Sequence, residues 1–491
     1  MRHRAWQLIL AAWVLAAGGA ATRADTEFFT ILMKGKKAGY GKHIRTVAKD
    51  KVTSTEVLKI TVGRGTTPIT ALMSETCVET LDGKPLAFEA VMDLSLMGQT
   101  VKGVVGADGK MALTITAGGQ TRQSTLDWPE GALMAEGLRL LEKKKGLKKG
   151  TTYTAKVFTG TLMKAIQAQV VVGEKKQVDL LGRVVRLTEV TTTETVPSLL
   201  GPQQQTTVSY VDDDGKTLKM VTDMLGMKVE VIACAEEVAM SEVEVVDFLA
   251  HTLVASPSPL PNVRLAKSVT YHIAPTGKVK AKLPIPNTDN QKVVHQADGS
   301  VVVTVRPAKA AAGATFPYKG KDKTLLGALK PTRFVESGNA KVIALARKAI
   351  GTATDAAKAA QRLEAFVRMH ITQKDLSVGY ATAAEVAVSR QGDCSEHAVL
   401  LAAMCRAVGI PAQVVNGLVY VPKFGKHRHV FGPHAWVRAH VGGQWIGLDA
   451  ALPRYDAGRI ALGVGDGNAE DFFGTVSIFG RIKITKVQMA K

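Results

Sequence analysis

Two rhythms divide the chain. From residue 25 to about 250, apolar and polar positions alternate with a period of two or run β-branched. Examples are "KVTSTEVLKITVG" (51–63), "QAQVVVG" (167–173) and "TTVSYVDDDGKTLKMVTDM" (206–224). The turn signals "LDGKP", "GADGK", "TAGGQ" and "DDDGK" punctuate these runs, so the region reads as successive β-strands joined by tight turns. One stretch, "EGALMAEGLRLLEKKK" (130–145), fits a helix instead. From about residue 338 the spacing becomes helical, in "NAKVIALARKAIG" (339–351), "TDAAKAAQRLEAFVRMHIT" (354–372) and "TAAEVAVSRQ" (382–391). In the next segment Val399, Leu400, Ala403, Met404, Ala407 and Val408 predict a helix with one buried stripe. Strands are expected at 412–421, 434–441 and 444–450, and "RIKITKVQ" (481–488) reads as a closing strand.

These rhythms give a multidomain chain with β-rich N-terminal modules and an α+β core. "SPSPLPN" (256–262) reads as a Pro/Ser-rich linker after a β domain at 25–250. A small β module at 263–310 precedes the core at 338–455, and a strand extension at 456–491 follows it. A length of 491 residues is itself too great for one hydrophobic core.

Residues 1–24 carry a different message. Arg2 and Arg4 precede the apolar run "AWQLILAAWVLAAGGAA" (5–21), with small residues at sites for cleavage after Ala21 or Ala24. The run is shorter than the roughly 20 residues a membrane span needs, and no later run is long and apolar enough. No cysteine lies near the cut to take a lipid. The expectation is an exported protein, periplasmic, envelope-associated or extracellular, with no transmembrane segment after cleavage.

A formal charge of +20 and a pI near 9.7 are spread along the chain, with one run at "EKKKGLKKG" (142–150). Basic and aromatic residues do not interleave as in single-strand nucleic-acid binders. No specific nucleic-acid partner is expected; anionic envelope components fit an exported basic protein better.

Four cysteines in so long a chain exclude a disulfide scaffold. Cys394 and Cys405 lie on one predicted helix, roughly 16 Å apart at 1.5 Å rise per residue, beyond the roughly 7 Å that a bridge tolerates. Cys77 with Cys234 is left open.

Cys394 follows "GD" and opens its helix. Asp393 as N-cap and Glu396 three residues on form a capping box, and Gly409 with Pro411 ends the helix. At this first position the unpaired N–H groups and the helix dipole favour a thiolate and can hold an oxyanion. The neighbouring Asp393 opposes this, so a further group is needed. It is found downstream. "PHAWVRAHVGGQWIGLDA" reads as a hairpin turning at Gly442-Gly443, with Val441 opposite Gln444 and Trp436 opposite Asp449. His434 then lies diagonal to Asp449 on the same face, within reach of a side-chain hydrogen bond. If the N-terminus of the helix faces this sheet, Cys394, His434 and Asp449 form a nucleophile, a base and its orienting acid.

The blocks "GDCSEHAVLLAAMCRAVGIPAQVVNGLVY", "PHAWVRAHVGGQWIGLDA" and "TAAEVAVSRQ" resemble the transglutaminase-like superfamily, related in architecture to papain-like cysteine proteases. The resemblance implies the catalytic order Cys, His, Asp, falling on Cys394, His434 and Asp449. It implies acyl transfer on peptide or protein amide bonds, as in a cysteine protease or amidase. Hydrolysis is expected ahead of crosslinking in exported members. The chain departs from animal transglutaminases, which place a Trp after the cysteine and need calcium: here Ser395 follows, and no acidic cluster marks a calcium site.

Tyr380 and Gln391 are the candidates for an oxyanion donor. Trp436, Glu396 and His397 are candidates for the cleft, with Glu396 also explained by capping and Trp436 and Trp445 by packing. Cys405 belongs to the core. His427, His429 and His434 with Asp449 could be imagined as a zinc site. However, the "KFGKHRHVFGPH" loop is basic and disfavours a metal, and it is expected to border the cleft. No metal or cofactor is expected. The alternative to an enzyme is a non-catalytic binding or assembly module of the cell envelope that keeps the fold.

Overall fold

The computed structural model describes residues 23–490 except 65–66, 95–96, 118–119, 197–202, 225–226, 248–249, 251, 277–282, 311–312, 375–380, 453, 468–477 and 479–480. The proposed signal peptide and Tyr380 therefore lie outside the described residues, apart from positions 23–24.

Residues Arg23–Asp127 form one antiparallel meander of eight strands, each beside its sequence neighbour. A second meander runs from Thr152–Thr159 to Met227–Cys234. The two join where the first strand, Arg23–Met33, pairs antiparallel with Met227–Cys234. Alternation sets the faces: in Lys110–Ala117, Met111, Leu113 and Ile115 are buried while Lys110 and Ala112 face solvent. The turns use glycine where the backbone must enter the left-handed region, as at Gly109 (φ +76°) and Gly215 (φ +83°).

This sheet bends back on itself. Phe158 packs edge-on against Phe88, at 4.9 Å between ring centroids, although their strands lie far apart in sheet order. The helix expected at 130–145 is Ala135–Lys145. Cys77 and Cys234 are free thiols on strands separated by three others.

The 256–262 segment is not a free linker. Val254–Ala255 pairs with Val430 and Phe431, Leu260 is buried, and the Leu260 N–H donates to the Tyr420 hydroxyl at 3.0 Å. An apolar Leu among the prolines ties the segment to the core. The small β module is a four-stranded sheet in the order Gln291–His295, Val301–Val305, Ser268–Pro275, Ile482–Ala490. The C-terminal strand thus completes a module begun more than 200 residues earlier. Its apolar face (Val269, Tyr271, Ile273, Val303) forms one cluster with Leu418, Phe431 and Ile460 of the core.

In the core, the central helix Cys394–Ala407 is sandwiched. Helices Ala340–Ile350, Ala356–His370 and Ala383–Ser389 lie against it, and strands Ala412–Phe424 and His427–Val441 pack on it from the sheet. The expectation of one buried stripe is corrected: every residue from Ser395 to Arg406 is buried. A helix apolar nearly all round becomes the middle of a domain. Arg406 is tolerated there because its Nε donates to Ala412 O (2.9 Å) and its Nη1 to Lys330 O (2.7 Å).

Two further expectations change. The strands placed at 412–421 and 434–441 extend to Phe424 and from His427, so "KFGKHRHVFGPH" is largely hairpin rather than loop. The core sheet also continues beyond residue 455, since Arg459–Gly465 pairs antiparallel with Ala412–Phe424. No helix among the described residues is long and apolar enough to cross a membrane.

The separation of Cys77 from Cys234 predicts that denaturing alkylation without reductant labels all four cysteines. A mass spectrum with two cysteines protected would contradict this placement.

Candidate active site

The site starts from a turn. Gly442 (φ +63°) and Gly443 (φ +85°) both take the left-handed backbone of a two-residue primed turn. Val441 pairs with Gln444, and the register runs without a shift to Val437 opposite Leu448. Extended one step, Trp436 stands level with Asp449 and His434 lies diagonal to it. The imidazole Nε2 of His434 lies 2.8 Å from Asp449 Oδ2, and both side chains are buried. Trp436 stacks on the imidazole, 6.1 Å between centroids at 25°. Gly417, across from His434, has no room for a Cβ, which would meet Ile460 O and the Trp436 ring.

Asp449 is saturated with donors. Oδ1 accepts from the N–H groups of Ala451 (3.0 Å) and Leu452 (2.9 Å). Oδ2 accepts from His434 and also from Arg459 Nε (2.9 Å) and Nη2 (2.6 Å). The Asp449 N–H donates to Glu364 Oε1 at 2.7 Å, and its C=O accepts from Arg368 Nη2 at 2.8 Å. Burial alone would push the Asp449 carboxyl up. Its bonded partner His434 and the Arg459 guanidinium outweigh burial and hold it well below the usual carboxylate range.

Cys394 is the first residue of the central helix, partly buried against the apolar cluster that includes Ala398, Ala435 and Val437. The capping box is formed. Asp393 Oδ1 accepts from Ser395 N (2.9 Å) and Oγ (2.8 Å), and Glu396 Oε2 accepts from Asp393 N (2.9 Å). His397 Nδ1–H donates to Asp393 O, which leaves its Nε2 as a buried lone pair without a hydrogen-bond partner. Burial holds His397 below its ordinary value, and the Asp449 charge acts on it in the opposite sense.

Glu396 is fully buried and also accepts from Ala381 N at 3.0 Å. Burial first, and Asp393 second, raise its carboxyl far above the ordinary value. A neutral Glu396 can donate to Ser395 Oγ at 3.1 Å, whose own proton then goes to Asp393. Gln391 forms an isolated bridge with Gln373 three residues before Cys394.

Other residues lie elsewhere. Trp445 packs under the Arg438 guanidinium (4.5 Å) beside Leu325 and Ala328. Cys405 is buried core, its thiol pushed up to about 12 by burial. His429 Nδ1 is 2.9 Å from the Tyr420 hydroxyl. Among the described residues no three His, Cys, Asp or Glu side chains are placed to hold a metal ion. Sequence reasoning missed Arg459 and Asp456. The signal was "RYDAGRIALGVG", two opposite charges at i, i+3 leading into a strand that is apolar on both faces.

Residues 343–450 match the family model of the transglutaminase-like superfamily, so the chain carries a transglutaminase-like domain. Three solved structures are similar in part. A "putative cysteine protease" from Cytophaga hutchinsonii is 20% identical, covering 46% of this chain and 85% of its own, at a TM-score of 0.30. A beta-barrel-like protein of a domain of unknown function from Brucella abortus is 14% identical, covering 43% and 94%, at 0.32. A "putative protease" from Parabacteroides distasonis is 14% identical, covering 74% and 67%, at 0.20. No curated protein matches the chain.

Glu396 makes a prediction about pH. Its folded-state pKa lies above the unfolded one, so the folded state holds the proton longer and stability falls as pH rises past the ordinary carboxyl range. Thermal midpoints are expected to decline from about pH 5 upward, and Glu396→Gln should flatten that decline. An equal slope in both proteins would assign the effect to another group.

Proposed function

We propose that this protein is an exported cysteine enzyme that uses Cys394, His434 and Asp449 for acyl transfer on peptide or protein amide bonds, with hydrolysis ahead of crosslinking. The observation that carries this reading is the buried 2.8 Å bond from His434 Nε2 to Asp449 Oδ2. It fixes the ring and leaves Nδ1 for the thiol on a strand packed against the helix that Cys394 begins.

In this reading Nδ1 takes the Sγ proton and the thiolate attacks the amide carbonyl. Asp449 holds the resulting imidazolium, and the helix N-terminus stabilises the oxyanion. Gln391 and Tyr380 stay the candidates for a further donor. The imidazolium protonates the departing amine, leaving a thioester on Sγ. A water deprotonated by Nδ1 then releases the acid, or an amine takes its place and crosslinks. Trp436 beside His434 would wall the cleft, with Glu396 and His397 behind Cys394. The apolar, basic-flanked N-terminus supports export. The charge of +20 fits anionic envelope components as surroundings.

Alkylation of each cysteine against pH, mapped by mass spectrometry, tests the reading. Cys394 is expected to react fast below pH 7 and to lose that in His434→Ala. Cys77 and Cys405, both pushed up to about 12 by burial, should stay silent. Peptide-amide hydrolysis should fall on the order of 10³-fold or more in Cys394→Ala. A Cys394 that reacts like an ordinary thiol, with His434→Ala unchanged, would favour the non-catalytic envelope module.

A further inference from the structure

Arg459 opens the outermost strand of the core sheet, opposite Val419, and is only 2% exposed. A guanidinium so deeply buried is unfavourable unless it is paired, and this one is paired twice. Its Nε and Nη2 converge on Asp449 Oδ2, while Nη1 forms an ion pair with Asp456 Oδ1 at 2.9 Å. The Tyr455 ring lies 5.6 Å from the guanidinium. Oδ2 is the same oxygen that meets His434, and Oδ1 is occupied by two backbone N–H groups. The carboxylate therefore cannot turn.

We propose that Arg459 and Asp456 are positioning residues of this site, fixing the Asp449 carboxylate and setting the charge that His434 meets. The proposal rests on the reading of Cys394 and His434 as a reacting pair. Its logic is charge balance. Arg459 alone would neutralise Asp449 and leave the imidazolium without a counter-charge. Asp456, also buried, restores one net negative charge across the three, so the cluster is neutral when His434 is protonated. The other groups facing Asp449 do not alter this sum. Glu364 and Arg368, on the helix Ala356–His370, oppose each other at 3.6 Å. Burial disfavours a charge on His397, on the central helix, and on Tyr455. The arrangement thus favours a resting thiolate–imidazolium pair.

The pH profile of Cys394 alkylation tests this in the full-length mature protein. Asp456→Asn removes the extra charge while leaving every side chain that donates to Asp449 in place. It is expected to slow Cys394 about tenfold near pH 6, equivalent to about one pKa unit, and to converge on wild type near pH 9. Arg459→Lys keeps the charge but loses the converging N–H groups. It should slow Cys394 near pH 6 less than Asp456→Asn does, and it decides the matter if that variant does not fold. A merely structural role would lower the melting temperature and alter Cys394 equally at all pH values. If both variants keep the wild-type profile while His434→Ala loses it, this proposal is overturned and the triad stands. If wild-type Cys394 shows no reactivity below pH 7, the triad reading falls and takes this one with it.

Discussion

A carboxylate with no exposure to water must find a donor for each of its lone pairs, and Asp449 has organised the core around that demand. Its carboxylate draws in His434 from one strand, Arg459 from another and two N–H groups from the turn that follows it, while its backbone N–H and C=O engage Glu364 and Arg368 of a helix. Elements distant in sequence are thereby pinned to one residue. Removing any single partner would leave a buried charge undercompensated, which is why such clusters behave as units rather than sums of pairs.

The opposite pole is the start of the central helix. Burying a helix N-terminus leaves unpaired N–H groups that solvent cannot reach. Asp393 and Glu396 answer two of them, but two carboxyl groups so close cannot both ionise cheaply. The proton kept on Glu396 resolves the conflict. It spares the region a second buried negative charge, which would otherwise oppose a thiolate at Cys394. The acid near His434 is thus held ionised by cations, and the acid behind Cys394 is held neutral by burial.

Much of this was legible in the sequence because it is local. The capping box, the Gly442-Gly443 turn and the hairpin register follow from short-range rules, and a two-residue turn propagates its register directly to His434 and Asp449. Periodicity also separated the β-rich half from the helical core. What stayed hidden depends on distant partners. The buried stripe of the central helix became all-round burial only because three helices and two strands enclose it. The proline-rich segment looked like a linker until Leu260 and Val254 met the core sheet. Arg459 read as an ordinary basic residue, since nothing near it in sequence says that its guanidinium ends at Asp449.

The boundary of the transglutaminase-like match carries a further consequence. It ends at residue 450, so Asp449 falls inside while Asp456 and Arg459 fall outside. Beyond that point the small β module takes hold. The Gln291 side chain exchanges two hydrogen bonds with the Ala461 backbone; Asp289 and Asn290 also bond the backbone of Trp445, within the matched stretch. The Tyr271 hydroxyl donates to Ala457 O at 2.6 Å, between Asp456 and Arg459 in sequence. The segment that delivers the two extra charges is therefore held by residues from the module. The module, in turn, is closed by the last strand of the chain. The stretch that matches the family model supplies the place for the histidine and the acid. The charge that surrounds them is set by parts of the chain that lie outside the matched domain.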